Sequence, residues 1–119
     1  MASHATSHVT NEMQQCINEC LNCHSICLST VTHCLQMGGK HAEAKHIQTL
    51  LACAEICRTS AAFMLLGTEL HTTTCAACAE VCARCAESCE QMGNDAQMKA
   101  CAEACRRCAE SCRRMAGAA

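Results

Sequence analysis

Two stretches in the second half of the chain decide the fold: CAEVCARCAESC at residues 78–89 and CAEACRRCAESC at residues 101–112. Both place their cysteines in the pattern C-x3-C-x2-C-x3-C. Spacings that alternate between four and three residues keep side chains on one face of an α-helix. The repeated unit therefore predicts two helices, each with a continuous stripe of cysteines along one face.

The same unit occurs twice more, nearer the start of the chain. Residues 16–27 read CINECLNCHSIC, and residues 53–64 read CAEICRTSAAFM, in which Ser60 and Met64 stand where the other copies have cysteine. Four helices with short connections pack as sequential antiparallel neighbours. We therefore predict an all-α fold, an antiparallel up-down-up-down four-helix bundle with a cysteine-lined core.

The glycines mark the expected helix ends, because a left-handed residue commonly closes a helix. The chain lacks proline and is rich in alanine, which also favours helix. We predict Thr10 and Asn94 as N-caps. At 119 residues the chain is expected to form one domain, 1–119, with residues 1–9 flexible. The predicted helices cover residues 10–37, 40–66, 70–92 and 95–115.

Composition limits the partners. Nine Lys and Arg stand against eleven Asp and Glu, with no basic stripe that could follow a nucleic acid backbone. The start of the chain shows no secretory signal, and no run of consecutive apolar residues is long enough to span a bilayer. We therefore expect a cytoplasmic protein that binds neither nucleic acid nor membrane. In a reducing compartment, sixteen cysteines are expected to be metal ligands rather than a disulfide framework.

Two interpretations of the cysteines need no metal. Cysteine can serve as a small apolar core residue, but a core of sixteen thiols would be underfilled. Disulfides within a helix are excluded, because Cβ atoms three or four residues apart are separated by about 5 to 6 Å and a disulfide needs roughly 3.5 to 4.5 Å. Disulfides between helices remain open on oxidation.

The C-x3-C spacing suits a metal ion held between two sulfurs, since two collinear bonds of about 2.3 Å span roughly 4.6 Å. Cu(I) is a soft ion that accepts two or three thiolates. We therefore predict a copper-storing protein rather than an enzyme, with on the order of 12 to 20 Cu(I) ions per chain. The candidate ligands are all the cysteines: Cys16, Cys20, Cys23, Cys27, Cys34, Cys53, Cys57, Cys75, Cys78, Cys82, Cys85, Cys89, Cys101, Cys105, Cys108 and Cys112.

Three other hypotheses about metal binding and function remain open. Thiols from different helices could bind zinc, which would make a zinc or mixed-metal buffer. A thiol redox or iron-sulfur protein is the less favoured alternative, and Cys75-AA-Cys78 comes nearest to a reactive C-x-x-C. If Met1 is removed, Ala2-Ser3-His4 could form a square-planar Cu(II) or Ni(II) site.

The stripes end in methionine and histidine, which are neutral soft ligands. Antiparallel packing gathers one such group at one end of the bundle, which we predict to be the mouth for copper. The other end gathers Met13, Met64, His71 and Met115, and we expect Phe63 and the leucines near it to plug that end. The candidate mouth ligands are His33, Met37, His41, His46, Met92 and Met98.

Over about residues 13 to 115 the chain resembles the bacterial copper storage proteins, a family of cysteine-lined four-helix bundles. The resemblance rests on the C-x3-C pairs and implies Cu(I) inside the bundle, a His and Met mouth, and a homotetramer that stores copper and exchanges it with copper chaperones. It also implies the cytosolic branch of the family, since no export signal is visible. Ser60 and Met64 depart from the pattern. The pairs are Cys16/Cys20, Cys23/Cys27, Cys53/Cys57, Cys78/Cys82, Cys85/Cys89, Cys101/Cys105 and Cys108/Cys112.

Overall fold

The computed structural model describes residues 9–117, and these form four α-helices and one short 3-10 helix, with no strand among them. The all-α prediction is confirmed. The predicted Ala2-Ser3-His4 site lies outside the described residues, as does the expected flexible start except for Val9, which packs against the core. The helices are α1 (Asn11–Met37), the 3-10 helix (Gly39–Ala42), α2 (Ala44–Leu66), α3 (His71–Glu90) and α4 (Ala96–Met115).

Each α-helix packs against two neighbours, α1 against α2 and α4, and α3 against α2 and α4. The sulfur contacts show that α1 and α4 are antiparallel. Cys16 near the start of α1 meets Cys112 near the end of α4, whereas Cys27 meets Cys101. The predicted up-down-up-down order is therefore confirmed. The molecule measures 52 × 28 × 20 Å, so the helices form a long, narrow tube.

The helix ends partly match the prediction. Thr10 caps α1, and its hydroxyl accepts a hydrogen bond from the backbone N–H of Met13 at 3.1 Å. Asn94 was the wrong choice for α4, because Asp95 has the extended backbone of a cap and accepts from the N–H of Met98 at 3.1 Å. The acidic cap also complements the positive end of the helix dipole.

Two helices are shorter than predicted. α2 begins at Ala44 instead of residue 40, because the 3-10 helix and an extended Glu43 intervene. α3 ends at Glu90, because the helical hydrogen-bond pattern is replaced by a turn there. The N–H of Met92 donates to the carbonyl of Cys89, three residues earlier, at 3.1 Å. Gly67 ends α2 in the left-handed conformation, with φ 73°.

The bundle interior is lined by sulfur, as predicted. Every cysteine is at most 1% exposed, and small alanines such as Ala86 and Ala109 fill the space beside them. Because alanine adds little bulk, the four backbones come close enough for sulfurs on different helices to touch.

Of the described helices, α2 alone is long and apolar enough to cross a membrane by length and composition. An 18-residue window of Ala44–Leu66 has a mean hydropathy of 1.5. In the bundle, 39% of that window is buried, and the buried face carries Cys53 and Cys57. The high hydropathy of α2 therefore comes partly from its inward stripe.

Candidate metal centre

All sixteen cysteines are buried, and each is a free thiol. Within one helix, the sulfurs of Cys23 and Cys27 lie 4.0 Å apart and those of Cys78 and Cys82 lie 3.7 Å apart. Contacts between helices are as short: Cys20 to Cys112 is 3.5 Å, as is Cys57 to Cys82. The thiols therefore form a network that crosses between helices, and the C-x3-C pairs are not isolated from one another.

The network divides into groups of thiols that could share a metal ion. In each group all the sulfurs lie within 4.8 Å of one another, and the members come from three helices. Cys23 belongs to two groups, as do Cys57 and Cys108. Overlapping groups favour thiolates that bridge several ions over separate single-ion sites. The groups include Cys20/Cys78/Cys108/Cys112, Cys23/Cys53/Cys57/Cys82, Cys23/Cys27/Cys53/Cys105, Cys57/Cys78/Cys82/Cys108 and Cys16/Cys75/Cys112.

The distances bear on coordination number. With bonds near 2.3 Å, sulfurs lie about 4.6 Å apart in a linear site, about 4.0 Å in a trigonal site and about 3.8 Å in a tetrahedral one. The observed contacts of 3.5 to 4.0 Å, such as Cys20 to Cys112 and Cys23 to Cys27, are closest to the last two. The shortest contacts therefore suit three or four sulfurs around an ion, while the separations of up to 4.8 Å within the groups also allow the collinear pair that the spacing predicts.

Burial keeps most of a metal-free core protonated, because isolated thiolates are costly away from water. Burial raises the pKa of Cys34 to about 11. For Cys75, the hydrogen bond from Cys112 lowers the pKa, but contact with Cys16 and burial outweigh it and raise the pKa to about 12. Metal binding to these thiols must therefore release protons.

One end of the bundle holds a mixed group of soft donors around Cys34. The Cys34 sulfur lies 3.4 Å from Nε2 of His46 and 3.5 Å from the Met98 sulfur. Nδ1 of His46 lies 2.6 Å from the Ser88 hydroxyl, which fixes the ring. Burial lowers the pKa of His46, so its imidazole is neutral at physiological pH and keeps a lone pair for a metal.

Two other predicted mouth residues, His33 and His41, are held by a carboxylate that the sequence prediction missed. Oδ2 of Asp95 lies 2.8 Å from Nε2 of His33 and 3.0 Å from Nε2 of His41. The hydrogen bond from His33 is the main reason that the pKa of Asp95 falls to about 2. The sequence does contain one indication of this role. Asp95 stands just before the helix-forming run, where an acidic capping residue is common.

The remaining predicted mouth residues lie apart from this group. Met37 ends α1 and is 56% exposed. Met92 is half-buried in the turn after α3 and packs against the core. The structure therefore brings together Cys34, His46 and Met98 as the inner part of the mouth, with Asp95 and its two histidines outside it.

The opposite end differs from the predicted plug. Leu65, Leu66 and Leu70 are 56%, 77% and 59% exposed. The first two lie on α2 away from its inward stripe, and Leu70 lies in the connection to α3. Phe63 is only half-buried. Met64 is the fully buried side chain at this end. A thioether therefore occupies the core position that the prediction gave to the leucines.

Comparison with known proteins supports the resemblance seen in the sequence. The copper storage protein family matches residues 9–117. The Nmul_A1745 protein of Nitrosospira multiformis is 47% identical, with a TM-score of 0.84 over 89% of this chain and 95% of that one. The Cu(I)-bound copper storage protein BsCsp3 of Bacillus subtilis is 32% identical, with a TM-score of 0.82 over 89% and 99%. Ccsp of Streptomyces lividans, loaded with 10 copper equivalents, is 31% identical, with a TM-score of 0.78 over 91% and 86%.

Proposed function

Since this chain belongs to the copper storage protein family, we propose that it stores copper as Cu(I) inside the bundle, on the order of 12 to 20 ions per chain. The observation that carries the proposal is the network of overlapping thiol groups, in which single cysteines such as Cys23 and Cys108 belong to more than one group. All sixteen cysteines are the proposed ligands, and the stored ions are the cargo of one domain.

Charge balance sets the capacity. Each entering Cu(I) replaces the proton of a thiol, so that a neutral S–H becomes a neutral S–Cu unit and one proton leaves for solvent. One ion per thiol therefore adds no net charge to the low-dielectric core. A core filled with divalent ions at the same ratio would carry one uncompensated charge per thiol, which favours a monovalent soft ion over zinc.

Copper enters at the mouth in this proposal. His46 and Met98 are neutral ligands beside the outermost thiol, Cys34, and can bind Cu(I) without adding buried charge. The carboxylate of Asp95, which is 12% exposed, gives the outer mouth a negative charge that attracts a cation. Copper ions, and the proteins that deliver and collect them, are then the partners of this end.

The redox alternative fits the structure less well. A reactive cysteine is expected to be partly exposed and beside positive charge. Cys75 and Cys78, the nearest match to a C-x-x-C motif, are both fully buried and surrounded by other thiols. We therefore propose a storage role without an enzymatic activity.

Cytoplasmic location follows from the same chemistry, since storage on free thiols needs a reducing compartment. A relative from Streptomyces lividans is described as a cytosolic copper storage protein.

We also propose that the chain is a homotetramer, assembled through an apolar face on α1 and α2. Leu21, Leu28 and Leu35 are exposed at seven-residue spacing on α1. His24, between the first two, bonds through Nδ1 to the carbonyl of Ala54 at 2.8 Å, which places the exposed Leu51 of α2 on the same side. Such a leucine stripe on a small bundle is typical of a protein interface.

An anaerobic titration tests the storage proposal. Cu(I) is added to the fully reduced chain in competition with a chromophoric chelator, in a pH-stat that counts released protons. We expect saturation between about 12 and 20 equivalents with close to one proton released per ion. The double variant Cys53→Ala/Cys57→Ala is expected to lose about two equivalents. Saturation at one or two equivalents would overturn the proposal, as would zinc-filled, copper-free protein from copper-fed cells.

A further inference from the structure

The end of the bundle opposite the mouth carries its own set of soft donors, and its outermost thiols form one of the groups named above. The sulfurs of Cys16, Cys75 and Cys112 lie within 4.8 Å of one another. They come from α1, α3 and α4, and each is the last cysteine of its helix at this end.

Each of the three thiols has a neutral soft ligand one helical turn further out. Met13 precedes Cys16 by three residues, His71 precedes Cys75 by four, and Met115 follows Cys112 by three. At these spacings the side chains lie on the same face of their helices. All three are half-buried, and Met13 and Met115 pack against the core. They therefore lie between the thiol group and solvent.

α2 contributes two further groups to this end. Met64 is fully buried on the inward stripe, at the level where α1 begins. One turn inward, Ser60 is also fully buried, and its hydroxyl has no hydrogen-bond partner among residues 9–117. A buried hydroxyl without a partner is costly, which indicates that an acceptor occupies the site in some state of the molecule. A metal-bound thiolate is a strong acceptor of this kind.

The ring of His71 is prepared for a metal. Its Nδ1 lies 2.8 Å from the carbonyl of Thr68, so Nδ1–H donates and Nε2 keeps its lone pair. Ligating histidines commonly make such a bond with their second nitrogen, because it fixes both the tautomer and the ring orientation. At the mouth, Nδ1 of His46 is also hydrogen-bonded, to the hydroxyl of Ser88.

We propose that this end is a second port for Cu(I), in which Met13, Met64, His71 and Met115 bind the ion and pass it to the thiols of Cys16, Cys75 and Cys112. Ser60 donates its hydrogen bond to a thiolate of that group once the proton has left. Leu65, Leu66 and Leu70 are each more than half exposed, so they are not packed into the core at this end. The inference rests on the proposed storage function and adds a second route to the same store.

Methyl NMR of the parent protein tests the port without any substitution. The methionine methyl groups are 13C-labelled, and the reduced chain receives its first equivalents of Ag(I), a diamagnetic soft monovalent ion. We expect the methyl signals of Met13, Met64 and Met115 to shift together with that of Met98. Shifts confined to Met98, in a chain that still reaches full copper capacity, would overturn the second port alone. No shift at either end, with saturation at one or two equivalents, would overturn the storage proposal as well.

Copper withdrawal from the loaded chain gives an independent measurement. Met13→Leu/Met115→Leu keeps side-chain volume and removes two thioethers, and Gln14→Leu serves as the matched control at the same end. If two equal ports operate, a chromophoric chelator should withdraw copper about two-fold more slowly from the double variant and at the parental rate from the control. Helical circular dichroism checks that each variant folds. A parental rate in the folded double variant would overturn the proposal.

Discussion

A cysteine side chain is a small apolar group when protonated and a soft anionic ligand when it is not. At Cys34 the protonated form prevails in the metal-free state, since burial raises the pKa of this thiol to about 11. The second form arises only as a metal ion replaces the proton. The same residue can therefore fill the core in both states without leaving a charge unpaired.

At the residue scale, His46 gives the metal-free protein a pH dependence. Burial lowers its pKa below 6.5, and the nearby His41 adds to the effect, while Glu43 opposes it. A lowered histidine pKa means that the folded state resists protonation. Its contribution to stability is therefore complete above pH 6.5 and is lost as the pH falls through the lower folded pKa.

The prediction is a fall in the thermal midpoint of the metal-free chain as the pH drops below about 6.5. His46→Gln retains a group that can bond to Ser88 but does not titrate, so the fall should be smaller in this variant. Calorimetric scans of both proteins from pH 8 to pH 5 measure the difference. Identical curves for the parent and the variant would contradict the assignment.

At the element scale, the helices differ in their terminal residues and in the number of cysteines that they place in the core. α1, α3 and α4 each bring a complete cysteine stripe, whereas α2 brings Cys53 and Cys57 with Ser60 and Met64 beyond them. α2 compensates with apolar burial through Leu50 and Ala54. It is therefore the helix whose stability depends least on metal.

The end of α2 provides a clean test of backbone geometry. Gly67 has φ 73° and ψ 19°, which is the left-handed conformation. A residue with a Cβ is destabilised by about 1 to 2 kcal/mol in this conformation. Gly67→Ala is expected to destabilise the metal-free protein by roughly 1 kcal/mol in a urea titration. Gly67→Asn is the matched control and should lose less, because asparagine tolerates the left-handed conformation. Equal losses in both variants would argue against this cause.

At the scale of the whole molecule, the proposed storage and the proposed assembly use different surfaces. The thiols are buried within a single chain, so the store does not require a partner subunit. The leucine stripe of α1 lies on the outside and is available for other copies of the chain. Copper capacity and oligomeric state should therefore vary independently.

Leu28→Lys places a charge in the centre of the stripe and is expected to convert the proposed tetramer to smaller species, because a buried unpaired charge at an interface costs several kcal/mol. Leu66→Lys, at an exposed position away from the stripe, is the control and should leave the assembly intact. Sedimentation velocity gives the oligomeric state, and the Cu(I) titration gives the capacity. A Leu28→Lys chain that remains a tetramer would rule out this face as the interface.

The sequence by itself determined the helices, their order, the inward stripes and the type of metal ligand. The helical period fixes which side chains share a face, and each copy of C-x3-C-x2-C-x3-C repeats it. Even the gap at Ser60 was visible, because it interrupts a pattern that three other helices complete.

Only the tertiary structure decided which thiols from different helices come together and which other side chains lie beside them. The grouping of Cys16, Cys75 and Cys112, the pairing of Asp95 with two histidines and the outward turn of Leu65 and Leu66 all depend on the register between helices. That register is set by side-chain packing and by the connections, and a shift of one turn would change every contact between helices while leaving each stripe unchanged. The periodicity of a helix depends on residues that are close in the sequence. The distance between two helices depends on residues that are far apart in the sequence, so it cannot be read from the repeat.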